Sequence, residues 1–87
     1  VKSATLPSFW TAYALLDERI KREARKTYRL WERNPFHPSL HFKCVEREEN
    51  VWSVRVTRNY RALGILEDDT VTWYWIGNHS DYERFFS

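Results

Sequence analysis

The hydrophobic period of the chain changes near residue 42. Before that point apolar side chains recur at helical spacing. Pro7 suits the first turn of a helix, and Phe9, Tyr13 and Leu16 then share one face of a short one. Asp17 is placed to cap a second helix, with Glu18 in its first turn. Ile20, Ala24, Tyr28 and Trp31 form its apolar stripe, and Asn34-Pro35 ends it. Residues 35–41 read as a loop stiffened by two prolines. After it the period becomes two. Phe42 to Val45 reads as a short strand, and Glu46–Asn50 as a turn. In Val51–Val56, Trp52, Val54 and Val56 point to one side while Ser53 and Arg55 point to the other. Thr57–Asn59 turns the chain and Tyr60–Leu66 returns. Glu67-Asp68-Asp69-Thr70 turns it again into a last strand, Val71–Gly77. Ser80 and Glu83 have capping-box spacing, which predicts a short helix starting near Asp81.

The order predicts a single α+β domain over residues 1–87. Two N-terminal helices pack on one face of a four-stranded antiparallel sheet, or a five-stranded one if residues 1–6 add an edge strand. A short C-terminal helix follows. Alternation puts Val71, Trp73 and Trp75 on one side of the last strand, with Tyr74 and Ile76 on the other; Leu63 and Ile65 oppose Ala62. Two apolar faces need two covers, and the helices supply one. The expectation is that a partner protein supplies the second.

Composition explains how so short a chain folds alone. Aromatic residues make up 17% of it, with five each of Trp, Tyr and Phe, and each buried ring removes about 150–250 Å² from water. Cys44 is the only cysteine, so no internal disulfide forms, and no Cys/His cluster has zinc spacing. Cys44 reads as a small apolar strand residue. No metal or cofactor is expected. No apolar run reaches membrane-spanning length and no signal peptide is visible, although the chain starts at Val1 and has no Met. The expectation is a cytoplasmic protein with no membrane contact.

The net charge is only +2, so its distribution matters more than its sum. Seven basic residues lie between Glu18 and Arg33: Arg19, Lys21, Arg22, Arg25, Lys26, Arg29 and Arg33. They read as a solvated helix face supported by pairs such as Glu18–Arg22 and Arg19–Glu23. Lys43, Arg55, Arg58 and Arg61 are sparser and sit among aromatic strands, a pattern suited to an anionic partner.

Asn34-Pro35-Phe36 to Lys43, Trp52-Ser53-Val54-Arg55-Val56, Asn59-Tyr60-Arg61-Ala62-Leu63, and Trp75-Ile76-Gly77-Asn78-His79-Ser80-Asp81-Tyr82 together resemble the RelE/ParE-type toxins of bacterial type II toxin–antitoxin pairs. The resemblance covers nearly the whole chain and is most specific from residue 52 to 82. It implies a cognate antitoxin partner, for which Trp73, Tyr74 and Trp75 are the candidate contacts. Many such toxins cut translated mRNA on the ribosome, without metal, by attack of the 2′-hydroxyl on the adjacent phosphate. That chemistry needs a base, cations for the developing phosphate charge and an acid for the leaving oxygen. By resemblance Arg61 serves the phosphate, His79 transfers a proton, and Tyr82 orients or stacks on a base. Lys43, Arg55 and Arg58 are the further RNA-phosphate candidates. The loop in which several cleaving members carry a carboxylate base reads His-Pro-Ser-Leu-His here, and the lysine pair of others is reduced to Lys43. The resemblance therefore leaves the base unassigned; His41 is the candidate for it, and His37 in the same loop is a further titrating group. Relatives of the same fold inhibit DNA gyrase and cut nothing. The alternatives are therefore a gyrase inhibitor or a degenerate toxin that only binds its antitoxin.

Overall fold

A computed structural model of the chain describes residues 1–84. The elements run β1 (Lys2–Thr5), α1 (Pro7–Ala14), α2 (Glu18–Arg33), a 3-10 turn (Pro38–Leu40), β2 (Lys43–Glu46), β3 (Val51–Thr57), β4 (Tyr60–Glu67), β5 (Thr70–Asn78) and α3 (His79–Arg84). The sheet order is β1-β5-β4-β3-β2. β2 to β5 form the expected antiparallel meander. β1 adds the fifth strand, but it runs parallel to β5, from Lys2↔Thr70 to Thr5↔Trp73. The sheet is therefore mixed. A four-residue edge strand carries no alternation long enough to fix its direction.

Local chemistry sets the ends. Asp17 Oδ1 accepts from the Ile20 N–H at 2.9 Å, the predicted N-cap of α2. Asp68 and Asp69 both have positive φ, 49° and 65°, as a two-residue hairpin turn matched to strand twist requires. The C-terminal helix starts earlier than expected. Asn78 Oδ1, not Ser80, accepts from the Asp81 N–H at 2.9 Å, and α3 opens at His79.

The core lies between the helices and one sheet face. Trp31 from α2, Leu40 and Phe42 from the loop, and Val54, Ala62, Val71, Trp73 and Ile76 from the sheet form one buried cluster. Trp31 meets Phe42 and Trp73 edge-on, at centroid distances of 5.7 and 5.4 Å. Strict alternation fails in β5. Gly64 pairs with Trp73 and Leu63 with Trp75, so Tyr74 is an extra residue, a β-bulge. Gly64 permits this, because a Cβ there would stand 2.6 Å from Val71 Cγ1 and 2.9 Å from the Trp73 ring. Beyond the bulge the phase is reversed. Trp73 and Ile76 face the helices, whereas Trp75 and Gly77 face away, which corrects the side assignments expected for this strand.

Candidate functional site

The sheet face turned away from α1 and α2 carries two rungs of interest. Register places Lys43, Ser53, Leu63 and Trp75 on one, and Arg55, Arg61 and Gly77 on the next. Arg55 and Arg61 stand directly opposite each other. Such a like-charge pair is unfavourable in an isolated sheet, and an anion between the two guanidinium groups would offset the repulsion.

Arg61 is held on two sides. Its Nη1 donates to Ser53 Oγ at 3.4 Å, and its guanidinium lies over the Tyr82 ring, 5.4 Å from the centroid. Ser53 has no exposed surface. Tyr82 in turn stacks on His79, at 5.7 Å and 20° between planes. His79 Nε2 is 2.8 Å from Glu83 Oε1, one helical turn on, which fixes the imidazole's orientation and leaves Nδ1 without a partner among the described residues. The His79 N–H donates to Asn59 O at 2.7 Å and ties the start of α3 to the β3–β4 turn. Arg61, Tyr82 and His79 thus form one continuous line on one side of the sheet. Trp75 flanks it: a Cβ on Gly77 would come within 2.4 Å of the Trp75 ring, so the indole lies flat on that glycine. A cation beside two aromatic planes can take a phosphate and an unstacked base together.

The remaining candidates fall into place less evenly. Lys43 is exposed and faces the same side as Ser53. Arg58 is exposed in the β3–β4 turn. His41 is exposed with a left-handed backbone, φ 44°, at the end of the 3-10 turn. No contact among the described residues joins it to Arg61, Tyr82 or His79. His37 instead closes its own turn, with Nδ1 accepting from the Ser39 N–H at 3.2 Å. Trp73 is 4% exposed and its Nε1 donates to Ser3 Oγ at 3.1 Å. It is a core residue under the helices, out of reach of the partner protein expected to contact it. Leu63 is fully buried on the opposite face, so the chain itself covers part of the surface assigned to a partner.

Sequence reasoning missed Ser53 and Glu83. Alternation had already put Ser53 beside Arg55, and Glu83 lies four residues from His79, so both signals were present. Cys44 is half-buried and donates to Glu46 O at 3.4 Å, as a strand residue would. No group of three or more His, Cys, Asp or Glu among the described residues could hold a metal ion, and no described helix is long and apolar enough to cross a membrane.

Tyr74, the bulge residue, is held above its ordinary pKa of 10.0, first by burial and then by the Glu49 carboxylate and the Tyr82 phenol. The folded form therefore keeps its proton while the unfolded chain ionises. Its contribution to stability is intact below about pH 10 and declines as pH rises through the folded value. Thermal midpoints measured across this alkaline range should fall less steeply in Tyr74→Phe than in the parent chain.

The ParE-like toxin domain family matches residues 18–84. No curated protein matches the sequence. Among solved structures, the RelB-RelE antitoxin-toxin complex from Methanococcus jannaschii is similar, with a TM-score of 0.76 at 13% identity, covering 97% of this chain and 99% of that one. The YoeB/ParE toxin from Agrobacterium tumefaciens gives 0.70 at 19% identity, covering 91% and 99%. YafQ from E. coli gives 0.74 at 13%, covering 99% and 98%. At these identities the structures speak for the fold. The family match takes in α2, every strand from β2 to β5 and α3, and by it this chain belongs to the ParE-like toxin domain family.

Proposed function

We propose that the chain is the toxin of a type II toxin–antitoxin pair and an endoribonuclease that acts on translated mRNA at the ribosome. The observation that carries the reading is the line Arg61–Tyr82–His79 on one sheet face. Arg61 meets the charge building on the phosphate as the 2′-hydroxyl attacks. His79, with Nε2 held by Glu83, exchanges a proton through Nδ1. Tyr82 and Trp75 receive the splayed base. The products are a 2′,3′-cyclic phosphate and a 5′-hydroxyl, the proton of the attacking hydroxyl being balanced by the one given to the leaving oxygen. A cognate antitoxin is the protein partner, as in the RelB-RelE and DinJ-YafQ complexes of the same fold.

Induced expression with mapping of mRNA ends tests this. The parent chain should arrest growth and generate new mRNA ends. His79→Ala should lower cleavage by about 10²–10⁴-fold, the usual worth of a positioned acid or base. Growth arrest that persists in both His79→Ala and Arg61→Gln would remove the nuclease reading. One observation favours a second reading, inhibition of DNA gyrase without cleavage: the loop from His37 to His41 carries no carboxylate. Purified protein that blocks supercoiling while leaving mRNA whole would select it.

A further inference from the structure

β2 pairs with β3 only over Val51–Ser53. Past that point the edge of β3 is open, and α2 and the 3-10 turn border it. Between them lies a notch of about 500 Å³ whose lining includes Lys26, Arg33, Arg55, Ser39, Thr57 and the single acid Glu23. Lys26, Arg33 and Arg55 make no ion pair among the described residues. The pairs expected earlier in α2, Glu18–Arg22 and Arg19–Glu23, do not form among the described residues, and Glu18 turns to Lys21 at 3.7 Å; neither Arg19 nor Arg22 lines the notch. Three uncompensated cations around one concavity focus a positive potential. Arg55 is also the residue directly across the ladder from Arg61, so the notch adjoins the face that holds the proposed cleavage site.

We propose that this notch binds the sugar-phosphate backbone of the same RNA whose scissile phosphate meets Arg61, so that the strand crosses the open edge of β3 onto α2. The proposal rests on the nuclease reading above and extends its footprint. The lining suits RNA better than an acidic protein segment. Leu40 is only 2% exposed, Leu30 and Val56 are half-buried, and no aromatic ring among the described residues lines the notch. Protein interfaces draw most of their energy from aromatic anchors. The exposed aromatics near α1 and α2 are Trp10, Tyr28 and Phe36; the first two line a different groove, and Phe36 lies against Phe42 and Trp52.

The test is binding without cleavage. A short 2′-O-methyl oligoribonucleotide has no free attacking hydroxyl, and its affinity can be followed by fluorescence anisotropy between about 50 and 200 mM salt. Lys26→Gln/Arg33→Gln should weaken binding and flatten the log–log salt slope by about 1.4, or about 0.7 for each phosphate of a single strand that is no longer neutralised. Arg61→Gln should flatten it by about 0.7. Both substituted notch residues are exposed, and an unchanged thermal midpoint confirms folding. If Arg61→Gln flattens the slope and the double variant does not, the notch proposal fails and the nuclease reading stands. If the parent chain does not bind the oligonucleotide, the notch proposal falls, while the nuclease reading is decided separately by the mapping of mRNA ends. If the double variant loses affinity for polyglutamate but keeps it for RNA, the notch serves an acidic protein and the proposal is overturned.

Discussion

Arg61→Gln is expected to lower mRNA cleavage by about 10²–10³-fold, the cost of removing one preorganised donor from a developing oxyanion, with little change in thermal stability. The choice of glutamine matters. Ser53 is fully buried and its hydroxyl oxygen accepts from the Arg61 guanidinium. Alanine would delete the charge and strand that hydroxyl together, and a buried group left unpaired costs about 1–3 kcal/mol. A loss of toxicity in Arg61→Ala would then mix chemistry with unfolding. Glutamine keeps a polar amide beside Ser53, on a stem two bonds shorter, and removes the positive charge and the planar fork. Arg61→Lys is the complementary variant. It keeps the charge, gives up the fork and most of its packing on Tyr82, and so should retain part of the activity. The measurements are single-turnover cleavage and a thermal midpoint on the same preparations. A glutamine variant that cleaves within a few-fold of the parent chain would show that the phosphate charge is met elsewhere, and the proposed mechanism would fail.

Several features of this site follow from patterns of period two and four, and those patterns are legible without coordinates. The β3 facing of Arg55 and Ser53 against Trp52 and Val54 is strict alternation, and the ladder bears it out as far as Arg55, past which its register shifts at Val56. The Asp17 cap and the α2 stripe are equally local. What alternation cannot register is a change of phase. One extra residue, Tyr74, exchanges the sides of everything after it in β5. Hence Trp73 and Trp75 are separated by the sheet instead of sharing a face. The cause sits on the neighbouring strand, at Gly64, and only the pairing brings the two together. The direction of β1 was hidden for a similar reason, since it depends on which strand it meets. At α3 two capping residues competed, and Asn78 won over Ser80. Glu83, freed from a capping role, bonds His79 instead. The spacing that suggested a cap therefore marks a side-chain pair that orients the imidazole.

Trp31→Ala should cost about 3–5 kcal/mol, the largest stability loss expected in this chain. Small domains hold only about 5–15 kcal/mol in total, so this variant should lose a third or more of a typical small domain's stability and melt far below the parent chain. Trp31 is 1% exposed and joins three layers at once: it stacks on Tyr28 within α2, meets Phe42 from the loop and meets Trp73 from the sheet. The phenylalanine variant separates the ring from its polar edge. Trp31 Nε1 is buried with no hydrogen-bond partner among the described residues, a condition that costs about 1–3 kcal/mol. Phenylalanine removes that donor and keeps most of the edge-on aromatic packing, so the relief offsets much of the volume removed. A small cavity of about 50 Å³ beside Trp31, lined by Thr27 and apolar side chains such as Val54 and Ile76, lets neighbours settle inward. Trp31→Phe is thus expected to lie within about 1 kcal/mol of the parent chain, because its transfer loss and its relieved desolvation are of similar size. Urea denaturation of the three proteins measures both differences. If phenylalanine costs as much as alanine, the indole N–H has a partner in solution and the account of an orphaned donor is wrong. The order parent, phenylalanine, alanine, with a wide gap only before the last, would establish the ring itself as what fastens α2 to the sheet behind Arg61.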